Sequence, residues 1–152
     1  MTFEELSKTR GRILGVDFGE ARTGLALSDA ARFLSNGIGN IPGGGLEKTA
    51  ELILAAVAEH GAVAVVIGLP VNMNGTEGPR AERVRLLAEK IAMRENAPPV
   101  CLMDERMTTM AAARFLNETN TRGKKRRGVI DTLSAQIILQ NCLDRLRYLK
   151  ED

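Results

Sequence analysis

The feature that most constrains the fold of this chain is a pair of short, continuous apolar runs in its middle. Residues 63–67 read Val-Ala-Val-Val-Ile, and residues 100–103 read Val-Cys-Leu-Met. Apolar runs of this length, bounded by glycine or proline, are typical of strands that are covered on both faces. Strands of that kind belong to α/β folds, in which helices pack on both sides of a sheet.

The first part of the chain predicts three sequential antiparallel strands. An apolar run over residues 12–16 is followed by a polar turn and by a second β-compatible run over residues 24–28, which is the pattern of a hairpin. A third extended stretch covers residues 33–41 and ends at Pro42, which is followed by three glycines. That cluster indicates a loop.

Apolar residues recur at helical spacing in four other stretches. These run from Leu46 to Gly61, through the stripe Val84–Ile91, from Met110 to about Asn117, and from Val129 to about Leu149. The predicted element order is therefore β-β-β-α-β-α-β-α-α. We expect an α/β fold with a single mixed five-stranded sheet and helices on both faces.

Length and composition predict one domain over residues 1–152, with a flexible segment at 1–10 and a mobile basic loop at 120–128. The two cysteines lie in apolar stretches, which suits core packing in a reducing compartment better than a disulfide framework. A single histidine excludes a His/Cys zinc site of the usual kind. Because neither a signal peptide nor a membrane span is visible, we expect a cytoplasmic protein without a membrane partner.

Three carboxylates stand where predicted elements end or begin. Asp17 closes the first strand, Glu105 follows the last strand, and Asp131 opens the final helix. Each of them alone has an ordinary explanation, as a turn residue, an ion-pair partner or a helix-dipole residue. Together they form an all-oxygen set of the kind that suits Mg²⁺ or Mn²⁺, and such sites serve phosphate chemistry. We predict that these three acids are the catalytic and metal-binding residues.

Positive charge is concentrated in residues 122–127. This segment holds five of the 21 basic residues, so the rest of the chain carries 16 basic and 19 acidic residues, a formal charge of −3. A solvated loop would explain it, but beside an acidic metal site it predicts binding to a phosphate backbone. Arg22, near the first acid, contacts phosphate or pairs with a carboxylate. The predicted nucleic-acid-binding residues are Arg22, Arg122, Lys124, Lys125, Arg126 and Arg127.

Four motifs, in order along the chain, resemble the YqgF family, also called RuvX. They are VDFGEARTG at residues 16–24, GLP at 68–70 with Asn72 and Gly75, DERMTT at 104–109, and VID at 129–131 with Ala135 and Leu139-Gln140. The resemblance extends from about Gly11 to Leu146. It implies an RNase H-like fold, a metal-dependent nuclease of the Holliday-junction-resolvase type, and a role in maturing the 5′ end of 16S rRNA precursor. It also places the family's acidic set on Asp17, Glu105 and Asp131.

We therefore expect an endonuclease that depends on Mg²⁺ or Mn²⁺ and processes the 5′ end of 16S rRNA precursor. One alternative is a resolvase that cleaves Holliday junctions in branched DNA. A second alternative is a non-catalytic RNA-binding or ribosome-associated protein, but a pure binder gains nothing from three anions that repel phosphate. Whether the protein is a monomer or a homodimer stays open from the sequence.

Overall fold

Five strands form one mixed sheet in a computed structural model that describes residues 1–107 and 125–151, with side chains described for residues 1–106 and 132–149. The strands are β1 (Ile13–Asp17), β2 (Arg22–Ser28), β3 (Ser35–Pro42), β4 (Ala64–Leu69) and β5 (Val100–Asp104). Their order across the sheet is β3-β2-β1-β4-β5. The hairpin strands β1, β2 and β3 pair antiparallel, whereas β4 is parallel to both β1 and β5.

Helices cover both faces of the sheet. The helices are α1 (Phe3–Ser7), α2 (Leu46–His60), α3 (Pro79–Ala92) and α4 (Lys125–Glu151), and a 3₁₀ turn covers Glu105–Met107. The pair α2 and α3 packs on one face, and α1 and α4 pack on the other. This arrangement confirms the predicted five-stranded α/β fold. The helix predicted at 110–117 lies outside the described residues.

The two faces of the sheet carry separate apolar cores because side chains alternate along each strand. Leu14 and Ile67 belong to the core beneath α2 and α3, whereas Ile13 and Val66 belong to the core beneath α4. All six residues of β4 are buried, which is why its sequence is apolar without interruption. Both cysteines lie in the α4 core as free, buried thiols.

The first ten residues, which the sequence analysis expected to be flexible, contain the helix α1. The backbone N–H of Glu5 donates to Thr2 Oγ1 at 3.1 Å, and the Thr2 hydroxyl lies 3.2 Å from Glu5 Oε1. Thr2 is therefore the N-cap of α1, because its hydroxyl oxygen satisfies a free backbone N–H of the first turn. Leu6 is fully buried in the α4 core, so its apolar contact fixes the segment to the domain.

The basic segment also differs from the prediction of a loop over residues 120–128. α4 begins at Lys125, so Lys125, Arg126 and Arg127 lie in helix, four residues before the predicted helix start. Lysine and arginine favour helix, and the single Gly128 disfavours it by only about 1 kcal/mol. Arg122 and Lys124 lie outside the described residues. In the described part of the chain, no helix combines the length and apolar character needed to cross a membrane.

Candidate active site

The predicted site begins at the edge of the sheet where the parallel strands end. Asp17 is the last residue of β1, and Glu105 follows the last residue of β5. Because β1, β4 and β5 run parallel, their carboxyl ends lie at one edge, which is where α/β sheets bind ligands. The structure brings both acids into the lining of one pocket, together with Gly68 and Pro70 at the end of β4.

Two glycines let α4 pack closely on the sheet beside these carboxylates, and one of them also leaves room for Glu105. Gly15 packs against α4, where an added Cβ would lie 2.7 Å from the Cβ of Leu139. A Cβ on Gly68 would lie 2.5 Å from Ile138 Cδ1 and 2.9 Å from Glu105 Oε1. Glycine at position 68 therefore lets α4 and the Glu105 carboxylate both approach the sheet.

The electrostatics of the pocket oppose the ionised form of both acids. Burial raises the pKa of Asp17, and the positive charge of Arg80 partly offsets that rise. Burial also raises the pKa of Glu105, the negative charge of Asp17 raises it further, and Arg80 again lowers it. The two carboxylates are thus close enough to repel each other in a partly desolvated place.

The adjacent Asp104 shows the opposite behaviour. Its carboxylate accepts hydrogen bonds from the Arg106 guanidinium at 2.8 to 3.2 Å, and these bonds lower the pKa of Asp104. The pKa values of these two neighbouring acids are therefore shifted in opposite directions. Asp104 is a structural ion-pair partner, whereas Glu105 faces the pocket.

Sequence reasoning missed Arg80, the cation whose charge acts on both pocket acids. It is the second residue of α3, directly after Pro79 at the first helical position, and it lines the same pocket. The Gly-Pro pair before it signals a helix start, which would have placed Arg80 at this edge. Arg83, one turn later, also lines the pocket, but its guanidinium pairs with Glu20 at 2.8 Å.

The third predicted acid belongs to α4, whose direction follows from its contacts with β3. Ser35, at the start of β3, donates its backbone N–H to Gln140 Oε1 at 3.0 Å, whereas Gly37 packs against Thr132. α4 therefore runs opposite to β3 and β1. This direction carries the turn that contains Asp131 toward the edge of the sheet that holds the pocket. The side chain of Asp131 lies outside the described side chains, so its role stays a prediction.

The predicted nucleic-acid-binding residues are placed in part. Arg22 is the first residue of β2 and is exposed, but it is not among the residues that line the pocket. The helical backbone of residues 125–127 stands at the start of α4, one to two turns before Asp131. Their binding role stays a prediction, as does that of Arg122 and Lys124.

The donor chemistry of the pocket fits a hard divalent cation. Carboxylate oxygens are the ligands that Mg²⁺ and Mn²⁺ prefer, and a bound cation would favour the ionised forms that burial disfavours at Asp17 and Glu105. Among the side chains that the structure describes, no group of three acids, histidines or cysteines forms a ligand cluster. The predicted set of three acids is therefore represented here by two carboxylates, and metal binding by Asp17, Glu105 and Asp131 stays a prediction.

Comparison with known proteins identifies the class of this fold and then the family. The structure of Thermus thermophilus RuvC in complex with a Holliday junction substrate is similar, with a TM-score of 0.60, 13% identity, and coverage of 90% of this chain and 96% of that chain. The fold is accordingly that of the RNase H-like resolvases. A family model described as RuvX, Holliday junction resolvase, matches residues 11–145, and the chain belongs to this family.

Two relatives match most of this chain. A protein of Ruminiclostridium cellulolyticum is 40% identical over 136 residues, which are 89% of this chain and 95% of the relative. A protein of Pelotomaculum thermopropionicum is 44% identical over 134 residues, which are 88% of this chain and 86% of the relative. Both relatives carry the name "Putative pre-16S rRNA nuclease".

Proposed function

We propose that this protein is a metal-dependent nuclease that hydrolyses phosphodiester bonds. The observation that carries the proposal is the pair Asp17 and Glu105, two partly buried carboxylates that share one pocket. Burial raises the pKa of both, and the charge of Asp17 raises that of Glu105 further. A fold gains no stability from such a pair, so its presence at the ligand-binding edge of the sheet favours a role in catalysis. Family membership and the names of the relatives support the same activity.

Each part of the site has a place in this proposal. Asp17, Glu105 and Asp131 hold the metal, and the chemistry that Mg²⁺ or Mn²⁺ supplies in such a site is activation of water and stabilisation of the leaving oxygen. Arg80 faces the same pocket from the start of α3, where the guanidinium fork and the helix dipole both favour an anion. We assign Arg80 to the phosphate group of the substrate.

The proposed substrate is the 5′ end of 16S rRNA precursor, because the relatives are named for pre-16S rRNA. A second candidate is branched DNA, which the family description and the similar RuvC complex favour. Both substrates present the same phosphodiester to the acids. The basic residues before and within the start of α4 would bind either backbone without reading its sequence.

A cleavage panel tests the proposal. Purified protein is incubated with Mg²⁺ or Mn²⁺ and with single-stranded RNA, a structured rRNA precursor, or a four-way DNA junction. We expect cleavage of the precursor to exceed that of the other two substrates and to stop in EDTA. Asp17→Asn and Glu105→Gln should both be inactive. Glu47→Gln is the matched control, because Glu47 is an acid on α2 that pairs with Lys90 away from the pocket.

The outcomes separate the alternatives. Preferential cleavage of the junction would assign the protein to branched DNA. Tight binding of RNA without cleavage by either metal would support the non-catalytic alternative and refute the nuclease. Equal activity of both acid variants and the unmodified protein would show that the cleavage does not arise at the proposed site.

A further inference from the structure

The loop between β4 and α3, residues 71–77, borders the proposed active site. Pro70 precedes it and Arg80 follows it closely, and both of these residues line the pocket. Met73 lies within this loop with 89% of its surface exposed, more than any other large hydrophobic residue in the described part of the chain. A single exposed methionine is unremarkable on a surface. Its setting is what distinguishes this one.

The loop is ordered by its own hydrogen bonds. Val71 and Glu77 form an antiparallel bridge across its base, and the backbone N–H of Asn72 donates to the Thr76 carbonyl at 2.8 Å. The side-chain oxygen of Asn74 accepts from the backbone N–H and the hydroxyl of Thr76, at 3.0 and 2.6 Å. These bonds fix the turn on which Met73 stands, so its backbone position is defined.

Two arginines connect the loop to the rest of the domain. Arg106, which directly follows the pocket glutamate, is held by the Asp104 carboxylate and donates a long hydrogen bond, 3.4 Å, to the Met73 carbonyl. Arg85 of α3 binds the Glu77 carboxylate through two nitrogens, at 2.6 and 2.8 Å. The Met73 backbone is therefore tied to the strand end that carries the acidic site.

An apolar side chain in this position has a chemical use if the pocket cleaves nucleic acid. Proteins that open a base step insert an unpaired apolar side chain such as Met, Phe, Leu or Ile between adjacent bases. Insertion needs a side chain that protrudes, that has no partner to release, and that is fixed relative to the bound backbone. Met73 protrudes from an ordered loop, beside a pocket whose acids and Arg80 suit a phosphate.

We propose that Met73 is a wedge that inserts between adjacent bases next to the phosphate bound in the Asp17 and Glu105 pocket. This inference rests on the proposed function, because the pocket must hold a nucleic-acid backbone. It adds a specificity element, since a base step at the border of paired and unpaired structure opens more readily than one inside a regular duplex. The protein would thereby favour such borders.

Base unstacking can be measured without cleavage. All variants are made in the Asp17→Asn background, and the probes are a four-way DNA junction and an RNA hairpin with a 5′ single-stranded extension. Each probe carries 2-aminopurine beside the branch point or the end of the stem, where unstacking raises its fluorescence. We expect the parent protein at saturating concentration to raise the fluorescence. With Met73→Ala the increase should be at most about one third as large. Met73→Phe should give the full increase, because phenylalanine restores a wedge.

The matched control is Met93→Ala, because Met93 is 83% exposed but stands at the far end of α3. It should leave the fluorescence unchanged, and the salt dependence of binding should stay the same in every variant because Met73 contacts no phosphate. An equal rise with Met73→Ala and its parent on both probes would overturn the wedge. So would the absence of any rise with the parent. Failure of the proposed function would appear separately, as no cleavage of either probe by the protein with Asp17 intact.

Discussion

The two ends of β1 both bury charge, and they treat it in opposite ways. At the start of the strand, Arg32 is 6% exposed, and its guanidinium donates to the carbonyls of Gly11 and Leu6, at 2.7 and 3.1 Å, and to Thr9 Oγ1 at 2.8 Å. Oxygen acceptors thus replace water around the charge. This end uses a buried cation to fasten the N-terminal segment to the sheet.

At the other end of β1, Asp17 and Glu105 share a pocket in which burial raises the pKa of both, and the charge of Asp17 raises the pKa of Glu105 further. The only opposing charge that acts on both, among the described residues, is that of Arg80. A buried polar group whose hydrogen bonds are satisfied is tolerated by the fold. Two carboxylates held close together in a pocket instead indicate a site that binds a ligand when the protein functions. The charge at the Arg32 end of β1 thus has a structural role, whereas the charges at the Asp17 end have a functional one.

The largest effect should follow from removing one acid. Asp17→Asn keeps the shape of the side chain and loses the charge that holds the metal, so we expect single-turnover cleavage to fall by a factor on the order of 10³ or more. Far-ultraviolet circular dichroism should be unchanged. Activity within tenfold of the unmodified protein on a confirmed substrate would remove Asp17 from the mechanism.

The next largest effect concerns the basic segment at residues 122–127, which we predict to bind nucleic acid near the Asp17 end of β1. Replacing Lys124, Lys125, Arg126 and Arg127 by alanine should weaken binding to every nucleic acid tested. If all five cations of the segment contact duplex phosphates, the slope of log affinity against log salt is about −4.5, and the variant should retain about −0.9. Arg32→Gly, a cation lost at the other end, should leave the slope unchanged. Identical slopes for the quadruple variant and the unmodified protein would make the segment a solvated structural element.

The Arg32 end should respond in stability rather than activity. Arg32→Ala leaves buried carbonyls without donors, so we expect the free energy of unfolding in urea to fall by about 2–4 kcal/mol. The backbone of Arg32 has φ of +63°, a region that glycine adopts more easily. Arg32→Gly should therefore be less destabilising than Arg32→Ala by about 1 kcal/mol.

Arg94→Ala provides the control for Arg32, since this surface ion-pair partner of Glu47 should contribute no more than about 1 kcal/mol. Equal stability of Arg32→Ala and Arg94→Ala would show that the buried bonds are worth no more than surface ones. A loss of cleavage per folded molecule in either Arg32 variant would show that the two ends of β1 are coupled.

A smaller effect on stability should follow from filling the space between Gly68 of β4 and its neighbours Ile138 and Glu105. Gly68→Ala adds a methyl group within 3 Å of both Ile138 and the Glu105 carboxylate, and such overpacking disfavours the fold by about 1–3 kcal/mol. Displacement of Glu105 should also slow cleavage. Gly44→Ala is the control, because its added methyl would meet the flexible end of Lys48. If Gly68→Ala cleaved at the full rate, the position of Glu105 would not depend on this glycine.

The positions of Asp17 and Glu105 could be predicted from the sequence, whereas the buried hydrogen bonds of Arg32 could not, and the reason is physical. Asp17 and Glu105 follow apolar runs, and strand ends are local features that alternate predictably along an α/β chain. The bonds of Arg32 join residues 21 to 26 positions apart, which no local pattern reveals. Sequence reasoning also missed Arg80, because its importance depends on α3 starting beside the pocket.

Element boundaries show the same division between local and tertiary causes. The third strand was expected to begin at Phe33, but Phe33 and Leu34 donate their backbone N–H groups to the Asp29 carboxylate at 2.8 and 3.0 Å, so the strand begins at Ser35. The end of α2 at Gly61, by contrast, was predicted correctly. Gly61 adopts φ of +67°, a left-handed conformation that ends helices and that glycine itself signals.

The smallest predicted effect is the one that most directly measures the cost of ionising Asp17 in the partly buried pocket, and it requires metal-free protein. The folded pKa of Asp17 is raised, so between its ordinary value near 3.8 and the folded value the native state binds more protons than the unfolded chain. Stability is therefore lost as pH rises through this window, and the full penalty applies at pH 7. Asp17→Asn removes the penalty, so in EDTA the variant should melt at a higher temperature than the unmodified protein at pH 7.

The gain should vanish below about pH 3.8, where both forms of the protein carry no charge at this position. Mg²⁺ should raise the melting temperature of the unmodified protein at pH 7 more than that of the variant, because a metal bound to the Asp17 carboxylate would offset the cost of burying its charge. The change in melting temperature caused by Arg32→Gly should not depend on pH in this way, since the partners of Arg32 are neutral oxygens. A variant less stable than the unmodified protein at pH 7 in EDTA would mean that Asp17, like Arg32, is satisfied in the folded state, and the contrast between the two ends of β1 would fail.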